Sequence, residues 1–407
     1  MRLQLKRALS VGILAVALGS PGLVSAVEVD AAQRFTLFRE PSATSGNDGV
    51  TVIHGQTDVA ATFASVFGVS GGYAVDSVSG ATPSVFRVDT VSAATKFSDT
   101  RHQVRGALTY TRPTADVTAG VSYGWESDYK AGALNVTTRS DVLDHAFTLG
   151  LAYTHNWDRV CDQNNQETAG RPLDRLALVS SANCFKDSPE VATRRLHIDS
   201  LEPSITWAAT PRLLIQGGAT AQILDGFQSN PYRRVELGSA GRTPQESLPT
   251  TRQRFALFVR SAYAFPRSHT SLQLMGRLYR DTWAVEAMTG EMVINQYLAK
   301  FLLLTARGRM HAQRGAIFYR DASGYRLFGP NSQYWTGDRE LSPMRNILVG
   351  GKLAYLRIPE SPGRSFFDEI EVAVKWEGLF YQLDSASAPN ADRKLALIWQ
   401  GAVSLRF

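Results

Sequence analysis

The chain of 407 residues is longer than one compact soluble core usually organises, so two or three domains, or one large closed sheet, are expected. Charged residues make up 20% of it and aromatic residues 10%, a charge content below the roughly 25% of ordinary soluble domains, which points towards apolar surroundings. The formal net charge of +6 falls to +3 once an export peptide is removed, and no basic tract carries interleaved aromatics, so nucleic acid is excluded as a partner.

That export peptide comes first. Arg2, Lys6 and Arg7 precede the apolar run VGILAVALG, and Val24, Ser25 and Ala26 form a small-residue cleavage site before VEVDAAQ, so residues 1–26 are read as a cleaved signal. No later run approaches the roughly 18 to 20 apolar residues of a spanning helix. The exported chain is then either soluble outside the cytoplasm or a membrane β-barrel. Residues 27–56 fit an extra hairpin (RFTLFRE with GVTVIHG), a periplasmic extension or a plug, and residues 57–407 are assigned to the barrel.

Alternation of period two, the signature of strands, dominates the mature chain. Val117, Ala119, Val121, Tyr123 and Trp125 share one face of TADVTAGVSYGWESDY, and Phe147, Leu149, Leu151 and Tyr153 share one face of AFTLGLAYTHNWD. Leu213, Ile215, Gly217, Ala219, Ala221 and Ile223 repeat the pattern. Tight turns are expected at Arg112 to Thr114, Thr210 to Arg212, Phe265 to Ser268 and Pro359 to Gly363. Long polar loops are expected at Val160 to Ala192, Phe227 to Thr250, Asp321 to Thr336 and Asp384 to Asp392. Short turns at one end and long loops at the other are the layout of an outer-membrane barrel. The expected fold is an all-β, antiparallel up-and-down transmembrane barrel of about 14 strands, within a range of about 12 to 16, with both termini on the periplasmic side. The expected strands are 58–78, 99–111, 114–126, 129–140, 145–158, 194–208, 212–225, 251–264, 269–281, 282–297, 301–320, 338–358, 366–382 and 393–407. The aromatic GYRLFGPNSQYW segment is expected to be a loop, with folding into the mouth as one option.

Alternation alone does not say which face meets which solvent. Aromatics near strand ends (Tyr123, Trp125, Tyr153, Trp157, Trp207, Tyr263, Phe265, Tyr355, Trp376 and Phe380) favour lipid on the apolar side, as interfacial girdles do. Small residues such as Gly217, Ala219 and Ala221 agree, because they would fill a solid core poorly. The other faces then line a lumen. They carry Arg252, Arg254 and Arg260 on one strand, Arg307, Arg309 and His311 on another, and Glu369, Glu371, Lys375 and Glu377 on a third. Two readings of these candidate pore-lining residues stay open: opposed charges that select small polar or anionic solutes at a constriction, or an ion-pair network that fills the barrel.

Other chemistry has little support. Cys161 and Cys184, the only cysteines, lie in an exported polar segment, where a disulfide is expected and a reactive or metal-binding pair is the alternative. No HExxH, Walker or strand-to-helix GxGxxG motif is present, so no enzyme, catalytic residue or cofactor is expected. His311 beside Gln313 and Arg309 reads as a satisfied lumen histidine rather than a general base. Glu126 and Asp128 could attract a cation but are too few for a calcium site.

Several strings together resemble a known family: VDSVSGATPS (Val75 to Ser84), YGWESDY (Tyr123 to Tyr129), YRDTW (Tyr279 to Trp283), AIFYRD (Ala316 to Asp321) and the terminal aromatic. They are similar to the exported family called domain of unknown function 3570, most specifically over Asp76 to Pro83 and Ser127 to Tyr129. The resemblance runs over most of the mature chain and implies a barrel in the outer membrane of a Gram-negative bacterium. It transfers no catalytic residue. The chain departs from the pattern at Ser98 to Arg101 and in the strand around Arg309 to Gln313, as a divergent member would. The resemblance also implies association with envelope redox proteins, for which this chain, with no redox centre of its own, would be a conduit or scaffold.

The functional expectation is thus a channel or transporter for small polar solutes, with a non-conducting scaffold barrel for an envelope complex as the alternative. Expected partners are outer-membrane lipid, envelope proteins and the barrel-insertion machinery. The last would read the closing strand Leu395 to Phe407, whose alternate residues are apolar and whose last is Phe407.

Overall fold

Each alternating segment folds as expected of period two, and the strands join edge to edge until no edge remains. The computed structural model describes residues 27–40, 50–79, 98–162, 172–175, 177, 185, 192–357, 368–383 and 392–407. The expected signal (1–26), Cys184, the turn at Pro359 to Gly363 and most of the loops at Val160 to Ala192 and Asp384 to Asp392 lie outside the described residues. Sixteen antiparallel strands form one closed barrel in simple sequence order. They are β1 (Val27–Glu40), β2 (Val50–Phe63), β3 (Phe67–Ser79), β4 (Ser98–Arg112), β5 (Ala115–Trp125), β6 (Tyr129–Val142), β7 (Phe147–Asp162) and β8 (Ala192–Thr210). The second half is β9 (Leu213–Gly226), β10 (Thr251–Phe265), β11 (Thr270–Asp281), β12 (Glu286–Ala299), β13 (Leu302–Gln313), β14 (Met344–Arg357), β15 (Glu369–Leu383) and β16 (Asp392–Arg406). One short helix, α1 (Ala322–Phe328), lies between β13 and β14. Among the described residues no helix is long and apolar enough to cross a membrane, which says nothing of strands.

The sixteen strands fall at the upper end of the expected range, and the two beyond the central figure of 14 lie at the start of the barrel. Residues 27–63 form the hairpin β1–β2, and β1 pairs β16 from Asp30↔Arg406 to Arg39↔Leu397 to close the ring. The expected strand 58–78 contains a tight turn at Ala64 and Ser65, both with positive φ (50° and 55°), closed by Val66 N–H donating to the Phe63 carbonyl at 3.0 Å. Positive φ at both central residues of a tight hairpin turn is normally supplied by Asn-Gly or Asp-Gly. Ala-Ser carries no such signal. A second difference lies between β13 and β14, where the expected strands 301–320 and 338–358 are each shorter. Residues 314–320 and 338–343 leave the wall because Ala316, Phe318 and Leu341 are buried against Trp283 and Val285.

The ring inverts the usual arrangement of polar and apolar faces. Leu108, Val121, Val259, Leu278, Met310 and Val374 are all more than half exposed and point outward. Most of the ion pairs of the strands lie on the inner face. A wall this apolar would be costly in water, at about 25 cal/mol per Å² of apolar area, and is what acyl chains cover. Aromatic pairs in contact ring the short-turn end: Phe67 with Tyr110 (5.2 Å), Phe147 with Trp207 (6.0 Å), Tyr263 with Phe265 (4.7 Å) and Phe301 with Tyr355 (5.7 Å). Tyr123 stacks on Trp125 (5.9 Å) and Trp125 on His102 (5.3 Å) near the long-loop end. These are the two girdles of a lipid-embedded barrel. Closure also satisfies every strand edge, the condition for backbone to sit in hydrocarbon.

Candidate functional site: the lumen and its cap

The ten candidate pore-lining residues all fall on the inward parity of their strands. On β10 the outward set is Phe255, Leu257 and Val259, which leaves Arg252, Arg254 and Arg260 inside. On β13 Met310 points out and Arg307, Arg309 and His311 point in; on β15 Val372, Val374, Trp376 and Phe380 point out and Glu369, Glu371, Lys375 and Glu377 point in.

The structure joins some of them directly. Arg307 donates to Glu291 at 2.6 Å and to Glu377 at 3.0 Å, and Lys375 lies 2.9 Å from Glu377. Because only β14 separates β13 from β15, the arginine wall and the glutamate strand are neighbours on one side of the lumen. They do not face each other across it. The contact is possible because Gly350 stands between them, paired with Arg307 on one side and Glu377 on the other. A Cβ at Gly350 would lie 2.4 Å from Glu377 Cγ. The same device recurs five strands round the ring, where Asp58 and Arg105 form an ion pair over Gly72, which is paired with both.

Towards the short-turn end, Arg406 meets Glu28 and Asp30 (both 2.9 Å) and Glu369 (3.3 Å), and Lys352 meets Glu371 at 2.6 Å. These residues adjoin a cavity of about 350 Å³ lined by Asp30, Asp58, Arg105, Glu369, Glu371 and Arg406. Towards the other end, Arg252 pairs with Asp281 and lies 4.2 Å from the centre of the Trp283 ring, while Arg254 donates to Gln222 at 3.0 Å. His311 contacts Thr289 at 2.8 Å and Gln313 at 3.2 Å, so both ring nitrogens are occupied. Gln313 in turn donates to the Glu340 and Ser342 carbonyls, both at 2.8 Å. Arg260 is exposed to the lumen and has no ion pair among the described residues. The Nε atoms of Arg254 and Arg309 are buried without a hydrogen-bond partner. No group of three or more His, Cys, Asp or Glu that could hold a metal occurs among the described residues.

A cap closes over the long-loop mouth. Segment 314–343 meets β1 through Arg339, which donates to both Glu40 carboxylate oxygens at 3.1 Å and to the Tyr381 hydroxyl at 3.0 Å. It also meets segment 227–250, just before β10, seven steps round the ring of sixteen from β1. There Ser247 and Trp335 exchange backbone hydrogen bonds (3.0 and 2.9 Å), and the Trp335 indole N–H donates to the Gln245 carbonyl at 2.9 Å. Val235, Leu237, Tyr325 and Trp335 form a buried apolar cluster. Asp321 caps α1 by accepting from the Gly324 N–H at 2.7 Å, which aims Tyr325 inward; its hydroxyl donates to the Phe318 carbonyl (2.9 Å) and accepts from the Thr336 N–H (3.0 Å). Beneath lies Glu246, accepting from Thr336 Oγ1 at 2.7 Å and Arg233 at 3.1 Å. Burial raises its carboxyl above the ordinary glutamate range, with the Arg233 charge opposing.

Several of these residues were within reach of the sequence. Glu291 lies on the inward parity of β12 with Thr289 and Asn295, and the same alternation that selects Arg307 selects it. Glu40, Arg339 and Glu246 carry no local signal. Cys161 is fully buried against Phe185 and Tyr232, and no free cysteine occurs among the described residues.

The closed wall, lipid-facing exterior and charged lumen define a β-barrel of outer-membrane type. A profile described as protein of unknown function (DUF3570) matches residues 88–355, more than half of the chain, and the chain belongs to this family. No curated protein matches it. Among solved structures, a bacterial polysaccharide outer-membrane secretin is 9% identical, with 94% of this chain and 98% of that one covered and a TM-score of 0.49. OccD3 (OpdP) of Pseudomonas aeruginosa is 9% identical, covering 96% and 93%, with a TM-score of 0.42. The siderophore receptor PirA of the same organism is 9% identical, covering 93% and 80%, with a TM-score of 0.39. At these identities and scores, no ligand or activity is transferred from them.

Proposed function

We propose that this protein is an outer-membrane channel or transporter for small polar solutes, constricted at its outer mouth by the cap. The carrying observation is a sixteen-strand wall, a size at which porins keep an aqueous channel, with a polar inner face. Three guanidinium groups, Arg254, Arg260 and Arg309, reach into that lumen without a carboxylate partner among the described residues. They favour passage of anions. Reconstitution in a planar bilayer under a potassium chloride gradient tests this: discrete conductance steps with a reversal potential on the anion side are expected. No conductance above background, from either the native protein or a variant with a disrupted cap, would overturn the reading.

A non-conducting scaffold barrel for an envelope complex is the second reading, and the packed cap is what favours it. Silence of both native and cap-disrupted protein, with specific recovery of envelope partners in a pull-down, would decide for it. The same placement includes a cleaved export peptide and a Cys161–Cys184 staple in the outer loop. N-terminal sequencing is expected to begin at Val27, and thiol titration of the denatured, unreduced protein to find no free thiol; a reactive thiol would sink the staple.

A further inference from the structure

The outward faces of β4 to β8 change character in lateral rows as the strands climb from the short-turn end. One row, Leu108, Ala119, Val136, Tyr153 and Leu201, is apolar but for a tyrosine hydroxyl. Four residues higher along each strand, Val104, Tyr123, Gly132, Trp157 and His197 share a row, with Trp157 lying over the bare Gly132. The next row above is His102, Trp125, Lys130, Arg159 and Arg195. Lys130, Arg159 and Arg195 are therefore side by side on three adjacent strands, on the lipid side of the wall. Lys130 lies 4.2 Å from the centre of the Phe185 ring, and none of the three has an ion pair among the described residues. Arg159 and Arg195 are exposed. Of the nearby carboxylates, Asp199 is held by Tyr153 (2.6 Å) and His155 (2.8 Å), and Asp225 stands one row below, opposite His197.

Depth gives the row its meaning. Arg159 is twelve residues beyond Phe147, whose ring stacks on Trp207 in the short-turn girdle. At about 3.3 Å per residue and a tilt of about 40°, that is about 30 Å, just past an apolar band about 25 Å tall. The Tyr123 and Trp157 row then lies at the interface, and the three cations lie among the headgroups of the outer leaflet. Adjacent like charges repel, and a sheet surface gains nothing by lining them up unless an anion answers them.

We infer that Lys130, Arg159 and Arg195 form a seat for the phosphate of a phosphorylated glycolipid headgroup in the outer leaflet, with Tyr123 and Trp157 packing on the lipid beneath it. Arginine offers paired N–H donors that suit phosphate, and lysine adds a third charge. The inference rests on the outer-membrane placement and is independent of whether the lumen conducts.

The experiment uses the full-length protein in detergent, with a bisphosphorylated lipid A and its dephosphorylated counterpart as probes, and native mass spectrometry as the readout. The native protein is expected to retain the bisphosphorylated lipid and bind the dephosphorylated one roughly tenfold more weakly, consistent with a sizeable contribution from each basic residue near a charged membrane surface. The triple variant Lys130→Gln, Arg159→Gln, Arg195→Gln is expected to lose that preference. The double variant Arg280→Gln, Arg345→Gln, exposed on the outward parity of β11 and β14 in another sector, is expected to keep it. Equal retention of the two lipids by native protein, or an undiminished preference in the triple variant, would overturn the inference while leaving the channel reading standing. Gel migration before and after boiling confirms that each variant is folded.

Discussion

Replacing Trp335 with alanine is expected to raise single-channel conductance several-fold while leaving the barrel wall intact. The residue is 2% exposed and sits where the two long loops meet. Truncation removes its packing against Val235, Leu237 and Tyr325 and the hydrogen bond that its indole gives to the Gln245 carbonyl. Buried tryptophan-to-alanine changes cost about 3–5 kcal/mol. That loss falls on the cap, because the wall is held by its own ladders and by the lipid around it. What remains between the two loops is polar: the Ser247–Trp335 backbone exchange, Thr336 with Glu246, Gly238 N–H with the Tyr325 carbonyl and Arg233 with Asp338 at 3.1 Å, contacts of about 1 kcal/mol net each. Without the apolar cluster to exclude water, the cap would loosen on the 227–250 side and stay tethered at Arg339 and Glu40. Bilayer recordings of the variant, alongside limited proteolysis of segment 314–343, check this. Unchanged conductance together with new protease sensitivity would show that the cap does not constrict the path.

The wall was largely legible from the sequence because period-two alternation is a local signal, and it also selected the inward residues without knowing the ring. The start of the barrel was hidden for an equally local reason: Ala64 and Ser65 adopt positive φ without glycine, asparagine or aspartate to announce it. Val50 to Ser79 therefore reads as a loose extension and one long strand instead of two. The cap was illegible because its contacts are distant in sequence. Ser247 and Trp335, and Arg339 and Glu40, meet only after the ring has closed. In Ala316 to Asp321 the alternating pattern that suggests a strand is satisfied by another partner, since Phe318 packs edge-on against Trp283 at 5.4 Å. Strand order also decides what the charges mean. Alternation put Arg307 and Glu377 in one interior, but only the order β13, β14, β15 makes them a pair on one wall.

That pairing carries the second large effect: Glu377→Gln is expected to move the reversal potential further towards the anion side and to weaken the wall locally. The Glu377 side chain is only 4% exposed and accepts from Arg307 and Lys375. The substitution keeps the shape and removes one negative charge, leaving Arg307 with Glu291 and Lys375 with no carboxylate in contact. Breaking a buried pair from one side costs about 3–5 kcal/mol, and the lumen-facing positions of Arg307 and Lys375 put this case towards the lower end. Gly350→Leu should reach the same end by a different route. Its side chain would need the space that Glu377 occupies beside Arg307, and its Cβ would also lie 2.4 Å from the Trp376 carbonyl oxygen. If the ion pair over Gly350 sets the local field, both variants shift selectivity in the same direction, and Gly350→Leu loses more of its resistance to SDS before boiling because backbone must move as well. Combining Glu377→Gln with Arg307→Gln should return the reversal potential towards the native value, since the charge change cancels. A reversal potential that stays fixed in Glu377→Gln would mean that ions do not pass this wall, and would move the conducting path to the side of the lumen lined by Asp58 and Arg105.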